Sequence, residues 1–181
     1  MAKSEIRNPK SEINFKSKIP ISNIKNILRG SVVILCLGNS DRGDDGAGSA
    51  IARAIKERTD YKVIDAGVTP ENYTGVIIKL KPDTIVIIDT VLFEGRPGEV
   101  RLFSGEDLRS GKISTHDVSP KLLIEYLRSS TNAKIYILGI RPKSNKLGET
   151  LSDEVKEAVD KITLHLSHAQ GKVIDNIKDV C

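Results

Sequence analysis

Residues 84–88 read Thr-Ile-Val-Ile-Ile, five β-branched residues in succession that end on Asp89. A strand with one face in water alternates apolar and polar residues. A run without that alternation is a strand covered on both faces, as in the middle of a mostly parallel sheet packed between helices. Val32 to Leu37, Val-Val-Ile-Leu-Cys-Leu, is a second such run. Two buried strands of this kind restrict the chain to a layered α/β architecture.

The segments between the runs carry helical periodicity. Ala47, Ala50, Ile51, Ala54 and Ile55 fall on one face of a first helix. Lys62 to Asp65 reads as a short second strand, and Pro70 opens a second helix with Tyr73, Val76, Ile77 and Leu80 inward, ended by Pro82. Only the nine residues Thr90 to Gly98 separate the third strand from Glu99–Phe103, too few for a helical crossover, so the fourth strand is expected to run antiparallel. A third helix follows, with Ser119 as N-cap, Pro120 at its first turn, and Leu122, Leu123, Tyr126 and Leu127 inward. Lys134–Ile140 is the fifth strand. Ser152 is expected to cap a last helix that buries Val155, Ala158, Val159, Ile162 and Leu166. The expected fold is a three-layer αβα sandwich around a mixed, mostly parallel five-stranded sheet.

With 181 residues, 39% of them hydrophobic and 29% charged, the chain suits one core rather than two. The net charge of +4 first suggests a nucleic-acid partner, but it is concentrated at one end. Residues 1–30 hold seven Lys or Arg against two Glu, whereas residues 31–181 hold 21 basic and 22 acidic side chains. The core has no basic excess for phosphate backbones, Trp is absent, and nucleic acid is not expected as a partner. We expect a basic, flexible extension over 1–30, a core domain over 31–168 and a tail over 169–181. Residues 3–13 repeat Lys-Ser-Glu-Ile in the extension. Two cysteines, Cys36 in a buried run and Cys181, form no disulfide framework, and no stretch approaches the roughly 20 apolar residues of a spanning helix. A cytoplasmic protein without membrane insertion is expected.

The chemistry is concentrated after the first strand, where residues 38–48 read Gly-Asn-Ser-Asp-Arg-Gly-Asp-Asp-Gly-Ala-Gly. A glycine-rich strand-to-helix junction ordinarily holds a phosphate. Here Asp44 and Asp45 occupy the approach, and their charge favours a cation. If the first three strands lie in the order 2-1-3, the loop with Asp44 and Asp45 and the strand end with Asp89 converge at the switch point, where α/β folds bind ligands, with His116 on a later loop. Each residue also has a plainer explanation. One aspartate can cap the first helix, Asp89 can be a turn residue, and His116 a loop residue. Two carboxylates and one imidazole form a mixed O/N set for a borderline divalent ion such as nickel or zinc, with coordination positions left open.

Other motifs are weaker. Gly46, Gly48 and Asp65 imitate a dinucleotide fingerprint, but Gly46 lies eight residues past Gly38, where the strand ends. No Gly-x-Ser-x-Gly elbow or phosphate-loop ending exists. Cys36 reads as a packed thiol, and His165 and His168 as residues at the cation-favouring end of the last helix.

Taken in order, six segments resemble a known family: 38–48; Asp65-Ala-Gly-Val-Thr-Pro-Glu-Asn at 65–72; Ile87-Ile88-Asp89; Arg-Pro-Gly-Glu at 96–99; Ser-Thr-His-Asp at 114–117; and Leu-Gly-Ile-Arg-Pro at 138–142. The chain is similar from about Val32 to Leu166 to the nickel-iron hydrogenase maturation endopeptidases, in particular the branch serving formate-hydrogenlyase (hydrogenase 3). The resemblance implies a phosphorylase/hydrolase-like fold and a hydrolase, historically classed as an aspartic-type endopeptidase. It implies that this enzyme removes a C-terminal extension from the hydrogenase large-subunit precursor after nickel insertion. It further implies Asp45, Asp89 and His116 as the nickel-contacting and catalytic positions, with Gly38, Asn39, Asp44, Gly46 and Gly48 as the supporting loop. Nickel would arrive with the precursor, and zinc or cadmium could replace it in vitro. A monomer is expected. The chain departs from the family pattern in the 30 residues before the motif, and Arg141 and Asp117 stand where relatives vary. Two alternatives use the same residues differently: a nickel chaperone or docking module that cleaves nothing, and a dinucleotide-dependent oxidoreductase built on Gly46, Gly48 and Asp65.

Overall fold

The computed structural model describes residues 21–104, 107 and 119–167. Five strands form one sheet: β1 Val32–Leu37, β2 Lys62–Gly67, β3 Thr84–Thr90, β4 Val100–Ser104 and β5 Lys134–Ile140. Their order is β2-β1-β3-β5-β4. β1, β2, β3 and β5 are parallel, and β4 pairs antiparallel with β5, Val100 opposite Ile140 and Ser104 opposite Tyr136. The sheet is therefore mixed, as the short 90–98 connection requires.

The unalternating runs occupy the middle of the sheet. Every residue of β1 is buried, as are Thr84 to Ile88 of β3. Their side chains alternate between two cores. Ile34, Cys36, Val86 and Ile88 pack on one face with α1 (Ala47–Ile55) and the last helix, and Val33, Leu35, Ile85 and Ile87 pack on the other. That second face is covered by α2 (Thr74–Leu80), through Ile77, and by α3 (Ser119–Ser130), through Leu123, Ile124 and Leu127. α4 (Asp153–Leu166) buries Val155, Ala158, Val159, Ile162 and Leu166, the stripe expected from its spacing. Among the described residues no helix is long and apolar enough to cross a membrane.

The expected helix faces need three corrections. In α1, Ala50 and Ala54 are half-buried and Ala52 is fully packed, because the helix lies so close to the sheet that Gly48 and Ser49 also face inward. In α2, Val76 and Leu80 are 47% and 38% exposed. The apolar pattern is spread over two elements there, since Pro70–Tyr73 is a 3-10 turn and only seven residues are α-helical. In α3, Leu122 and Tyr126 are 60% and 52% exposed, and Ile124 takes their place in the core. The packed domain also begins before residue 31: Ile24 and Ile27 are buried in the core beside α4.

Candidate active site at the switch point

β1 and β3 are parallel neighbours, with Cys36 opposite Ile88, so both chains leave the sheet at the same edge. β2 lies on the far side of β1, and strand order reverses between β1 and β3. This is the crevice where open α/β sheets bind ligands.

The loop after β1 is held tight by two glycines. Gly38 has φ +123, and a side chain there would collide with the Asp45 carbonyl. A Cβ on Gly48 would strike the Leu37 carbonyl and come within 3.0 Å of the Ile88 carbonyl, so glycine lets α1 rest directly on β1 and β3. Gly46 sits at the N-cap of α1 with ordinary helical angles. Between them, Gly43–Gly46 forms a 3-10 turn that carries both aspartates.

The two aspartates do different work, and neither caps α1 through its side chain. The expectation of a helix cap is therefore corrected. Asp44 is fully buried and points across the molecule to residues 143–152. Its Oδ2 accepts hydrogen bonds from the Lys143 N–H (2.7 Å), the Ser144 N–H (3.0 Å) and the Ser152 hydroxyl (3.0 Å), and its Oδ1 from the Ser152 N–H (2.6 Å). Burial alone raises its pKa most strongly of any single cause. The donors from Ser152, Ser144 and Lys143 together outweigh it and hold the carboxyl below its ordinary value. Ser152 stands at the N-cap of α4 as expected, but its hydroxyl turns to Asp44 rather than to the helix. Main-chain bonds complete the clasp: the Asp44 N–H donates to the Ser144 carbonyl, the Gly43 N–H to that of Glu149 and the Gly148 N–H to that of Asp41.

Asp45, half-buried, turns to the switch point. Its Oδ2 accepts from the Asn39 N–H (2.9 Å) and its Oδ1 from the Thr90 hydroxyl (3.0 Å). The Thr90 N–H in turn donates to Asp89 Oδ1 at 2.7 Å. Thr90 thus joins the two carboxylates that the sequence placed on separate elements, and it was not among the residues expected at the site. A hydroxyl residue directly after the strand-ending acid is the only sequence signal for it. His116, the third expected member, lies outside the described residues. Among the described residues no three His, Cys, Asp or Glu side chains form a metal-holding group.

The dinucleotide fingerprint is absorbed by packing. Gly48 serves the contact of α1 with β1, and Asp65 Oδ1 accepts from the Ser49 hydroxyl at 2.7 Å. Cys36 is a buried free thiol, and burial, with the nearby Asp65 charge, pushes its pKa far up, as expected of a packed cysteine. His165 Nδ1 lies 2.7 Å from the Lys161 carbonyl, on its own helix.

The family profile described as HycI, hydrogenase maturation protease, matches residues 47–167. The chain belongs to the hydrogenase maturation protease family. It is 32% identical over 142 residues to the hydrogenase 3 maturation protease of Escherichia coli strain K12, covering 77% of this chain and 90% of that protein. The crystal structure of a [NiFe] hydrogenase maturation protease from Thermococcus kodakarensis KOD1 superposes with a TM-score of 0.70 at 30% identity, over 77% of this chain and 92% of that one. The solution structure of the endopeptidase HycI from Escherichia coli gives 0.67 at 29% identity, over 76% and 89%. In this maturation protease, the matched region begins at α1 and runs through all the later strands and helices.

Proposed function

We propose that this chain is the endopeptidase that removes the C-terminal extension of a nickel-iron hydrogenase large-subunit precursor once nickel has been inserted. In this reading the metal belongs to the substrate and is recognised through Asp45, Asp89 and His116. Family membership and the expected fold support it, but one observation carries it: Thr90 binds Asp45 and Asp89 at once, at the edge where strand order reverses.

The chemistry of the donors suits the role. The hydrogen bonds described for Asp45 come from a backbone amide and a hydroxyl, both neutral, so they orient the carboxylate without cancelling its charge. An ionised carboxylate accepts at about four lone-pair directions. One bond on each oxygen leaves capacity for a cation. Two carboxylates with an imidazole favour a borderline divalent ion, and zinc or cadmium would enter the same set in vitro. Held by these residues, nickel would supply Lewis-acid polarisation of a peptide carbonyl or a water. The chain's own part is to hold the carboxylates in register. The Asp44 clasp fixes the turn, Gly38 and Gly48 fix the backbone, and Thr90 fixes the relation between the two acids. The reading carries with it a cytoplasmic, monomeric enzyme without a nucleic-acid partner.

The test is incubation with nickel-loaded and nickel-free precursor, followed by intact-mass spectrometry. Loss of a C-terminal peptide from the loaded form alone is expected. An unchanged precursor mass in both would leave a docking module and overturn the protease.

A further inference from the structure

β2 is the outer strand of the sheet, and among the described residues its far side pairs with no other strand. An unpaired strand edge presents a row of N–H and C=O groups that can add a further strand. Here the edge is open along a groove of about 450 Å³, within the range of ordinary ligand clefts. One wall is α1, through Ala52, Arg53 and Lys56, and the other is Tyr73 and Val76. Lys62 to Asp65 of β2 itself form the floor. A strand edge lying between two helical walls is the geometry that accepts an extended peptide by strand addition.

The lining charges indicate what kind of peptide fits. Arg53, Lys56 and Lys62 are exposed, and none forms an ion pair among the described residues. Asp65, held by the Ser49 hydroxyl, is the one acid in the lining, so three cations face a single carboxylate. Val76, nearly half exposed, and the half-buried Tyr73 offer apolar surface for alternate side chains. A second copy of the chain would bring the same three cations against themselves, which like-charge repulsion disfavours. We propose that the β2 edge is a docking groove for an extended acidic segment of a protein partner, which adds as a sixth strand with its alternate carboxylates facing Arg53 and Lys56 on the α1 side, while Lys62 adds positive charge from the face it shares with Ile64. The groove is separate from the Asp45–Asp89 crevice and does not depend on its chemistry.

The test uses the full chain and a fluorescent eight-residue peptide alternating Glu or Asp with Val, measured by anisotropy. Saturable binding is expected, at least tenfold weaker to the double variant Arg53→Glu, Lys56→Glu. N-methylation of alternate peptide amides should weaken binding at least tenfold as well, because it removes strand donors while keeping every charge. Amide exchange by NMR should slow within Lys62–Gly67, and Asp45→Asn should bind as the native protein does, which separates this groove from the metal-reading site. The proposal is overturned by any of three results: no saturation, equal binding of the N-methylated peptide, or a dimer of the chain itself that protects β2.

Discussion

The Thr90 hydroxyl donates to Asp45 Oδ1 at 3.0 Å, across the boundary between the β1 loop and the end of β3. Because the Thr90 amide also donates to Asp89 Oδ1, this one residue contacts both carboxylates. Thr90→Val keeps the shape and removes the hydroxyl donor. Its loss should cost about 1 kcal/mol in stability. It should also lower nickel-dependent cleavage about tenfold by freeing the Asp45 carboxylate to rotate. Thr90→Ser, which retains the hydroxyl, should stay within about twofold of native. Equal activity of the Val and Ser variants in a precursor-processing assay would show that the hydroxyl positions nothing.

Asp44 makes its prediction through stability. Asp44→Ala removes the acceptor for three backbone amides and a hydroxyl, and unsatisfied buried donors cost about 1–3 kcal/mol each, not additively. A loss of about 3 kcal/mol corresponds to a melting temperature roughly 6–12 °C lower for a chain of this size. The pH dependence follows from the lowered folded pKa. The stabilisation is fully present above the unfolded carboxylate value, about pH 4, and is lost as pH falls through the lower folded value. Denaturant titrations between pH 3 and 7 should show native stability falling on the acid side with a steeper slope than in Asp44→Asn.

Cys36 is buried, and its thiol titrates well above the ordinary cysteine value, so the reactive thiolate is scarce at neutral pH. In native protein it should resist iodoacetamide, and it should be modified once the chain is denatured. Peptide mass spectrometry reads this directly. Native modification at the rate of a free thiol would mean that β1 opens readily.

These residues also show what the sequence could disclose. The five β-branched residues before Asp89 dictated a strand covered on both faces, and the nine-residue connection dictated an antiparallel β4. Both follow from local pattern and chain length, and both are present. The convergence of Asp45 with Asp89 followed from topology alone, since the crevice forms wherever strand order reverses. The role of Asp44 could not be read this way. Its partners lie 99 to 108 residues away, and no spacing rule connects them. Val76, Leu80, Leu122 and Tyr126 were misplaced because α2 and α3 touch the sheet along narrow stripes, while periodicity reports only which residues share a side. Thr90 was missed because a threonine at a strand end is ordinary until its neighbour across the sheet is known.

In the proposed function, nickel carried by the precursor is held by Asp45, Asp89 and His116. The most direct measurement is nickel K-edge X-ray absorption on the loaded precursor, alone and with the protease. New oxygen and imidazole scattering is expected when native protease is added, with the imidazole contribution absent for His116→Ala and the oxygen contribution reduced for Asp45→Asn. A nickel spectrum unchanged by native protease, or changed equally by all three proteins, would contradict it.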